Sequence, residues 1–140
     1  MNILITGAFG FVGTNLSKTL STAFQHHWFD VDLVQLVAQS PPVYPVGCNP
    51  FWGWIVPPIF EYVSWDKLHT PDKKKIDAII HLAHLAGKAR DTKNTTEEQT
   101  YFDINVGLTE KIFEYFLQSG ASKFIFFSSV KAAAAGNRTR

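Results

Sequence analysis

Met1-Asn2-Ile3-Leu4-Ile5-Thr6-Gly7-Ala8-Phe9-Gly10-Phe11-Val12-Gly13 is the stretch from which the rest of the chain can be read. Its first six residues form an apolar, β-branched run that stops at glycine, the pattern of a strand buried on both faces in a parallel sheet. After Gly10 the period changes. Val12, Leu16 and Leu20 recur every four residues and mark one face of a helix. A second strand is expected within residues 27–38, in a register that the pattern leaves open. Residues 76–83 read as another buried strand, followed by a basic and polar loop over 88–94. A long helix starts at Thr95, with Ile104, Leu108, Ile112 and Tyr115/Phe116 as its apolar stripe and Gly120 where a C-terminal cap belongs. Residues 124–127 form a last apolar strand that delivers Ser128 and Ser129 at its end. Strands and helices alternating in this order predict an α/β fold around a parallel sheet.

Composition narrows the function classes. At 140 residues the chain suits one domain with a real core. Thirteen Lys and Arg against twelve Asp and Glu give no electrostatic case for nucleic acid or an anionic membrane surface. Cys48 is the single cysteine, which excludes an internal disulfide and fits a reducing, cytoplasmic setting. No secretory signal is expected at the N-terminus. Residues 33–60 carry no charge, yet the six prolines from Pro41 to Pro58 forbid a membrane-spanning helix. That stretch reads as a Pro/aromatic-rich insertion at about 41–62, able to cover the domain or meet a partner. His81 and His84 would not share a face, and no carboxylate or cysteine completes a set, so no metal site is expected.

Glycines at 7, 10 and 13 lie between the first strand and its helix, where a pyrophosphate would bind. The first permits a tight turn, the second a close approach of backbone to phosphate, the third helix–strand packing. Amides at the helix N-terminus then favour the anion. A plain glycine-rich βα turn is the competing reading. An acidic residue about 20 positions on should hold the adenosine ribose, and Asp32 (or Asp30) is in range. If the second strand spans 27–31, Asp32 stands at its end and NAD is favoured over NADP. If it spans 31–38, neither aspartate is placed for that role.

With these features the chain resembles the extended short-chain dehydrogenase/reductase family, in particular bacterial NAD-dependent nucleotide-sugar epimerases and dehydratases. The likeness rests on Gly7-x-x-Gly10-x-x-Gly13, on Asp77-Ala78-Ile79-Ile80-His81-Leu82-Ala83 with Leu85-Ala86-Gly87-Lys88-Ala89, and on Phe124-Ile125-Phe126-Phe127-Ser128-Ser129-Val130-Lys131. It implies a Rossmann-type parallel sheet with flanking helices, incomplete at its C-terminal side, over residues 1–140. It also implies NAD as cofactor, with backbone contacts from Phe11 and Val12 beside Gly7, Gly10 and Gly13. Ala86 and Lys88 would lie along the cofactor, with Ala83 an equal candidate because His81-Leu82-Ala83 is repeated as His84-Leu85-Ala86. Asn105 would support the cofactor loop, and Ser129 would hydrogen-bond the reacting oxygen of a nucleotide-sugar.

The family's acid/base pair, Tyr-x-x-x-Lys, is missing. Tyr44, Tyr62, Tyr101 and Tyr115 are each followed four residues later by something other than Lys. The expectation is therefore a truncated NAD-binding part of an epimerase/dehydratase-like protein, inactive alone. The alternatives are a non-catalytic dinucleotide-sensing or partner-binding module, or an inert truncated gene product. Self-association through the aromatic segment or an open sheet edge is a further expectation.

Overall fold

The computed structural model describes residues 1–28, 30–38, 59–68, 75–84 and 95–128, the side chains of 95–98 excepted. Five strands make one parallel sheet: β1 (Asn2–Thr6), β2 (Leu33–Ala38), β3 (Phe60–Ser64), β4 (Ala78–His81) and β5 (Lys123–Phe126). Their order is β3-β2-β1-β4-β5, so the chain winds outward from β1 in both directions. Helix α1 (Phe11–Gln25) follows β1; α2 (Thr95–Phe102), a π-helical stretch at Asp103–Gly107 and α3 (Leu108–Ser119) precede β5. This is the α/β parallel architecture expected.

Side-chain alternation explains why the inner strands are apolar throughout. Ile3 and Ile5 join Val34, Leu36 and Ile59 on one face of the sheet, while Leu4 joins Val37, Ile79, Ile112 and Tyr115 on the other. The second cluster lies under α3, whose Ile112 and Tyr115 are buried as the apolar stripe predicts. Gly120 ends that helix at φ 70°.

Three details differ from expectation. The buried line of α1 is Gly13, Ser17, Ser21 and Ala23, with Leu16, Leu20 and Phe24 packed at its flanks and Val12 exposed. Small residues lie where helix meets turn and sheet, so the apolar stripe is displaced by one position. Second, β3 occupies Phe60–Ser64, which overlaps the end of the stretch read as an insertion. All five of its residues are half-buried, and it pairs with β2 from Val34↔Phe60 to Ala38↔Ser64. The rest of the Pro/aromatic segment, 39–58, is outside the described residues. Third, the π-helical stretch interrupts what reads as one long helix. Among the described residues no helix is long and apolar enough to cross a membrane.

The amino edge of the sheet is stitched by polar contacts. Asp77 and Asn2 are joined twice, the Asn2 N–H donating to the Asp77 side chain at Oδ2 at 2.8 Å and the Asp77 N–H to the Asn2 carbonyl at 2.9 Å. The Asp32 N–H donates to the Met1 carbonyl at 3.0 Å. The carboxyl edge is left for other work.

Among the described residues Ser17 is the exception to polar satisfaction. Its hydroxyl is buried with no hydrogen-bond partner, and such a group lowers stability. Ser17→Ala removes it and improves helix propensity, and should raise unfolding stability by about 0.5–1 kcal/mol. Urea unfolding checks this; a loss of stability would show that the hydroxyl is satisfied in solution.

Candidate functional site: the glycine turn and the crevice beside it

The turn after β1 is shaped by close backbone approach. Gly7 has φ 67°, and a Cβ there would lie 2.6 Å from the Ala83 nitrogen and 2.7 Å from the Leu82 carbonyl carbon. At Gly13 a Cβ would fall on the Gly7 carbonyl oxygen and within 2.6 Å of Ala8 Cα. Gly10 closes the turn, its N–H donating to the Gly7 carbonyl at 3.1 Å, and then stands as N-cap of α1. No side chain caps that helix and its first turn has no acidic residue. The N–H groups of Phe11, Val12 and Gly13 therefore have no intrahelical acceptor, and the positive end of the helix dipole adds to their pull on an anion.

Beside the turn, Leu82, Ala83 and His84 line two hollows. One, of about 400 Å³, is bounded by Val12, Asn105, Thr109 and Phe126 to Ser128. The other, of about 300 Å³, is bounded by Gly7, Phe9, Gly10, Val37, Ala38, Trp65 and Ile104. Both open at the carboxyl edge, where β1 and β4 lead in opposite directions across the sheet. Ligands of open α/β sheets bind at such switch points.

Under this crevice lies a buried polar chain. Thr6 Oγ1 and His81 Nδ1 are 2.6 Å apart, and His81 Nε2 is 2.9 Å from Thr109 Oγ1. Thr109 Oγ1 donates to the Asn105 carbonyl at 2.7 Å. The N–H groups of Leu82 and Ala83 each reach Thr6 Oγ1 at 3.3 Å. His81 is 1% exposed, its ring stacked on Phe126 with centroids 5.7 Å apart. Burial lowers its pKa to about 4. No local pattern in the sequence announces these roles. The available signal was two polar residues, Thr6 and His81, ending apolar strands. Among the described residues no group of three side chains could hold a metal.

The crevice gathers Gly7, Gly10, Val12, Ala83 and Asn105, with Phe11 and Gly13 in the adjoining first turn of α1. Asn105 sits in the π-helical stretch. Asp32 does not join them. Because β2 begins at Leu33, Asp32 precedes the strand, where its carboxylate pairs with the Met1 ammonium at 2.6 Å. Five residues of parallel strand at about 3.3 Å each put it roughly 16 Å from the glycine turn. Asp30 lies at that same edge, its carbonyl accepting from the Met1 ammonium. Ser129, Ala86 and Lys88 are outside the described residues.

A sheet of this order, with a three-glycine turn and an uncapped helix N-terminus at its switch point, defines a Rossmann-type dinucleotide-binding domain. A family model, the NAD dependent epimerase/dehydratase family, matches residues 3–140, and the chain belongs to that family. Solved structures share the fold. A human epimerase family protein solved with NADPH is 19% identical at a TM-score of 0.65, the match covering 94% of this chain and 37% of that one. A UDP-galactose 4-epimerase is 24% identical at 0.61, covering 92% and 38%. A UDP-glucose-4-epimerase from Stenotrophomonas maltophila, with bound NAD and formylated UDP-arabinopyranose, is 20% identical at 0.63, covering 94% and 38%. The chain thus spans under two fifths of their length. No curated protein sequence matches it. The residues present fit the family's NAD: backbone already fills the space a Cβ would need at Gly7 and Gly13, while a Cβ at Gly10 would meet only the Gly7 oxygen, at 3.3 Å.

The buried His81 makes stability depend on pH. The unfolded imidazole protonates near 6.5, the folded one near 4. The unfolded chain binds the extra proton between these values, so this contribution is complete above pH 6.5 and is lost as pH falls toward 4. The total is on the order of 3 kcal/mol. Urea midpoints at pH 7, 6 and 5 should fall more steeply for the native chain than for His81→Gln. Parallel profiles would show that the ring is not held neutral.

Proposed function

We propose that the chain is the NAD-binding part of an NAD-dependent nucleotide-sugar epimerase/dehydratase-like protein, and that these 140 residues bind the dinucleotide without turning over a sugar. The observation that carries the reading is the uncapped N-terminus of α1, set behind Gly7, Gly10 and Gly13 at the β1/β4 switch point. The family's description names the cofactor, and structures sharing the fold include nucleotide-sugar epimerases.

In this reading the Phe11 and Val12 amides hold the pyrophosphate and the Ala83 backbone runs beside it. Asn105 supports the cofactor side of the crevice, with Ala86 and Lys88 along the cofactor. Ser129 polarises the sugar oxygen. The bound nicotinamide supplies hydride exchange with the sugar carbon. The transfer also needs a group to take the hydroxyl proton, and no Tyr-x-x-x-Lys pair stands within these residues to do so.

The choice between NAD and NADP follows from β2. With that strand at Leu33–Ala38, the Asp32 argument for NAD over NADP loses its basis, and NAD rests on the family's description. No charged residue occurs from 33 to 60, so nothing there holds ribose hydroxyls by a carboxylate or rejects a 2′-phosphate by charge. A second reading, a partner-binding module, is favoured by one feature: Ile125, Phe126 and Phe127 are exposed on the edge strand β5 and its continuation, with Phe113 and Leu117 exposed on α3.

Trp65 borders the smaller hollow and makes intrinsic fluorescence a reporter. Titration with NADH and NADPH should give saturable responses with dissociation constants within about tenfold of each other, since no charge separates the two. Purified protein should show no turnover of UDP-sugars. Absence of saturation by any dinucleotide would sink the binding reading; with a mass that rises with concentration, it would leave the partner-binding module. Robust sugar turnover would sink the inactive half.

Asp32→Asn supplies a separate check. Being at the far edge of the sheet, the substitution should leave NADH affinity within about twofold, against the roughly tenfold loss expected of a lost charge-assisted ribose contact. A tenfold loss would restore Asp32 to the site.

A further inference from the structure

The chain of hydrogen bonds through His81 has a direction, and the direction follows from counting protons. The Thr109 hydroxyl has one hydrogen, which goes to the Asn105 carbonyl at 2.7 Å. Toward His81, at 2.9 Å, it can only accept, so Nε2 carries a proton. At the other end, Thr6 Oγ1 lies 2.6 Å from Nδ1 and already faces the N–H groups of Leu82 and Ala83. The Leu82 N–H has the Thr6 carbonyl as its shorter acceptor at 3.1 Å. Were Nδ1 protonated too, Oγ1 would face it and the Ala83 N–H as donors, and its own hydrogen would have no acceptor among the hydrogen bonds of a site that is 0% exposed. The Thr6 hydroxyl therefore donates to a bare Nδ1. Every hydrogen is then placed, running one way from Ala83 N–H through Thr6, His81 and Thr109 to the Asn105 carbonyl.

We propose that His81, held as the neutral Nε2–H tautomer, is a positioning residue of the dinucleotide site, joining the chain that leaves β4 to the helical stretch that carries Asn105. This rests on the dinucleotide reading above. Both things it joins are walls of the crevice: Leu82 and Ala83 on the β4 side, Asn105 and Thr109 on the helix side. Thr6 lies on the β1 side of the ring and Thr109 on the helix side, and the Phe124 and Phe126 rings of β5 lie 6.4 and 5.7 Å from it between centroids. Among the described residues no charged group hydrogen-bonds to it, in keeping with burial as the cause of its lowered pKa. The imidazole has no route to the ligand, so it acts by setting where the walls stand.

Two measurements test this. Long-range proton–nitrogen NMR of the native chain at pH 7 should show His81 with a bare Nδ1 and a protonated Nε2; the opposite tautomer or a cation would overturn the proposal. Thr6→Val keeps the shape but removes the donor, and Thr6 is too buried to touch a ligand. NADH affinity, followed by tryptophan fluorescence, should fall about tenfold in Thr6→Val, with a shift of the His81 Nδ1 resonance, and Thr6→Ser should restore it to within about twofold. Native binding with unchanged affinity in Thr6→Val overturns the positioning role alone. No saturation of the native chain overturns the dinucleotide reading and this role with it. The tautomer measurement needs no variant to fold.

Discussion

The Leu82–Ala83 backbone passes so close to Gly7 that no side chain fits between them. That contact prolongs the β1–β4 pairing past the end of β4, with the Leu82 N–H donating to the Thr6 carbonyl at 3.1 Å. The turn must therefore leave β1 at once, which the positive φ of Gly7 permits; a residue with a Cβ would add about 1–3 kcal/mol of backbone strain to the overlap. Departing there, the chain starts α1 over the carboxyl ends of β1 and β4. Gly13 then lets the helix rest on the Gly7 carbonyl and Ala8. The crevice, its anion-seeking amides and its two hollows all follow from these two close approaches.

Much of this was legible because the deciding signals are local. A glycine spacing, a change of period from strand to helix and a glycine at a helix end can each be read within a few residues. The misread elements depend on partners far along the chain. β3 has no alternation to announce it, since an edge strand half-buried at all five positions mixes Glu61 and Ser64 with Tyr62 and Val63. It is defined by pairing with β2, and the Tyr62 hydroxyl seals it by donating to the Ala38 carbonyl at 3.1 Å. The start of β2 is likewise set by the partnership Asn2↔Leu33, although Val31 just before it is buried as well. On α1 the four-residue spacing marks a face whose Leu16 and Leu20 flank the core while Val12 is exposed; the buried line belongs to Gly13 and Ser17, whose small size no hydrophobic pattern rewards.

The candidate site divides in the same way. Gly7, Gly10 and Gly13 were legible because backbone geometry imposes their type. Asp32 was not, because sequence distance from the glycines cannot tell which end of a strand a residue occupies. The part played by His81 was invisible for a third reason: its partners Thr6 and Thr109 stand 75 and 28 residues away. The π-helical stretch hides similarly, since Asn105 keeps helical periodicity on both sides of it while its carbonyl meets the Thr109 hydroxyl.

The polar pair at the ends of β1 and β4 also bears on how the sheet selects one register. Ile3, Leu4 and Ile5 against Ala78, Ile79 and Ile80 offer apolar contacts that a shifted alignment would largely replace. A slip of one residue exchanges the two faces of the sheet and moves each side chain into the other cluster. A slip of two keeps the faces and is opposed mainly by what it does to Thr6 and His81. Aligned, they are partners with every hydrogen bond placed; shifted, each is a buried polar group facing an apolar neighbour, at about 1–3 kcal/mol apiece. A satisfied polar chain in an apolar sheet thus discriminates where hydrophobic contact does not. The same pairing that sets the register sets the depth at which Leu82 and Ala83 meet Gly7, so the alignment of the central strands and the shape of the dinucleotide crevice are one constraint.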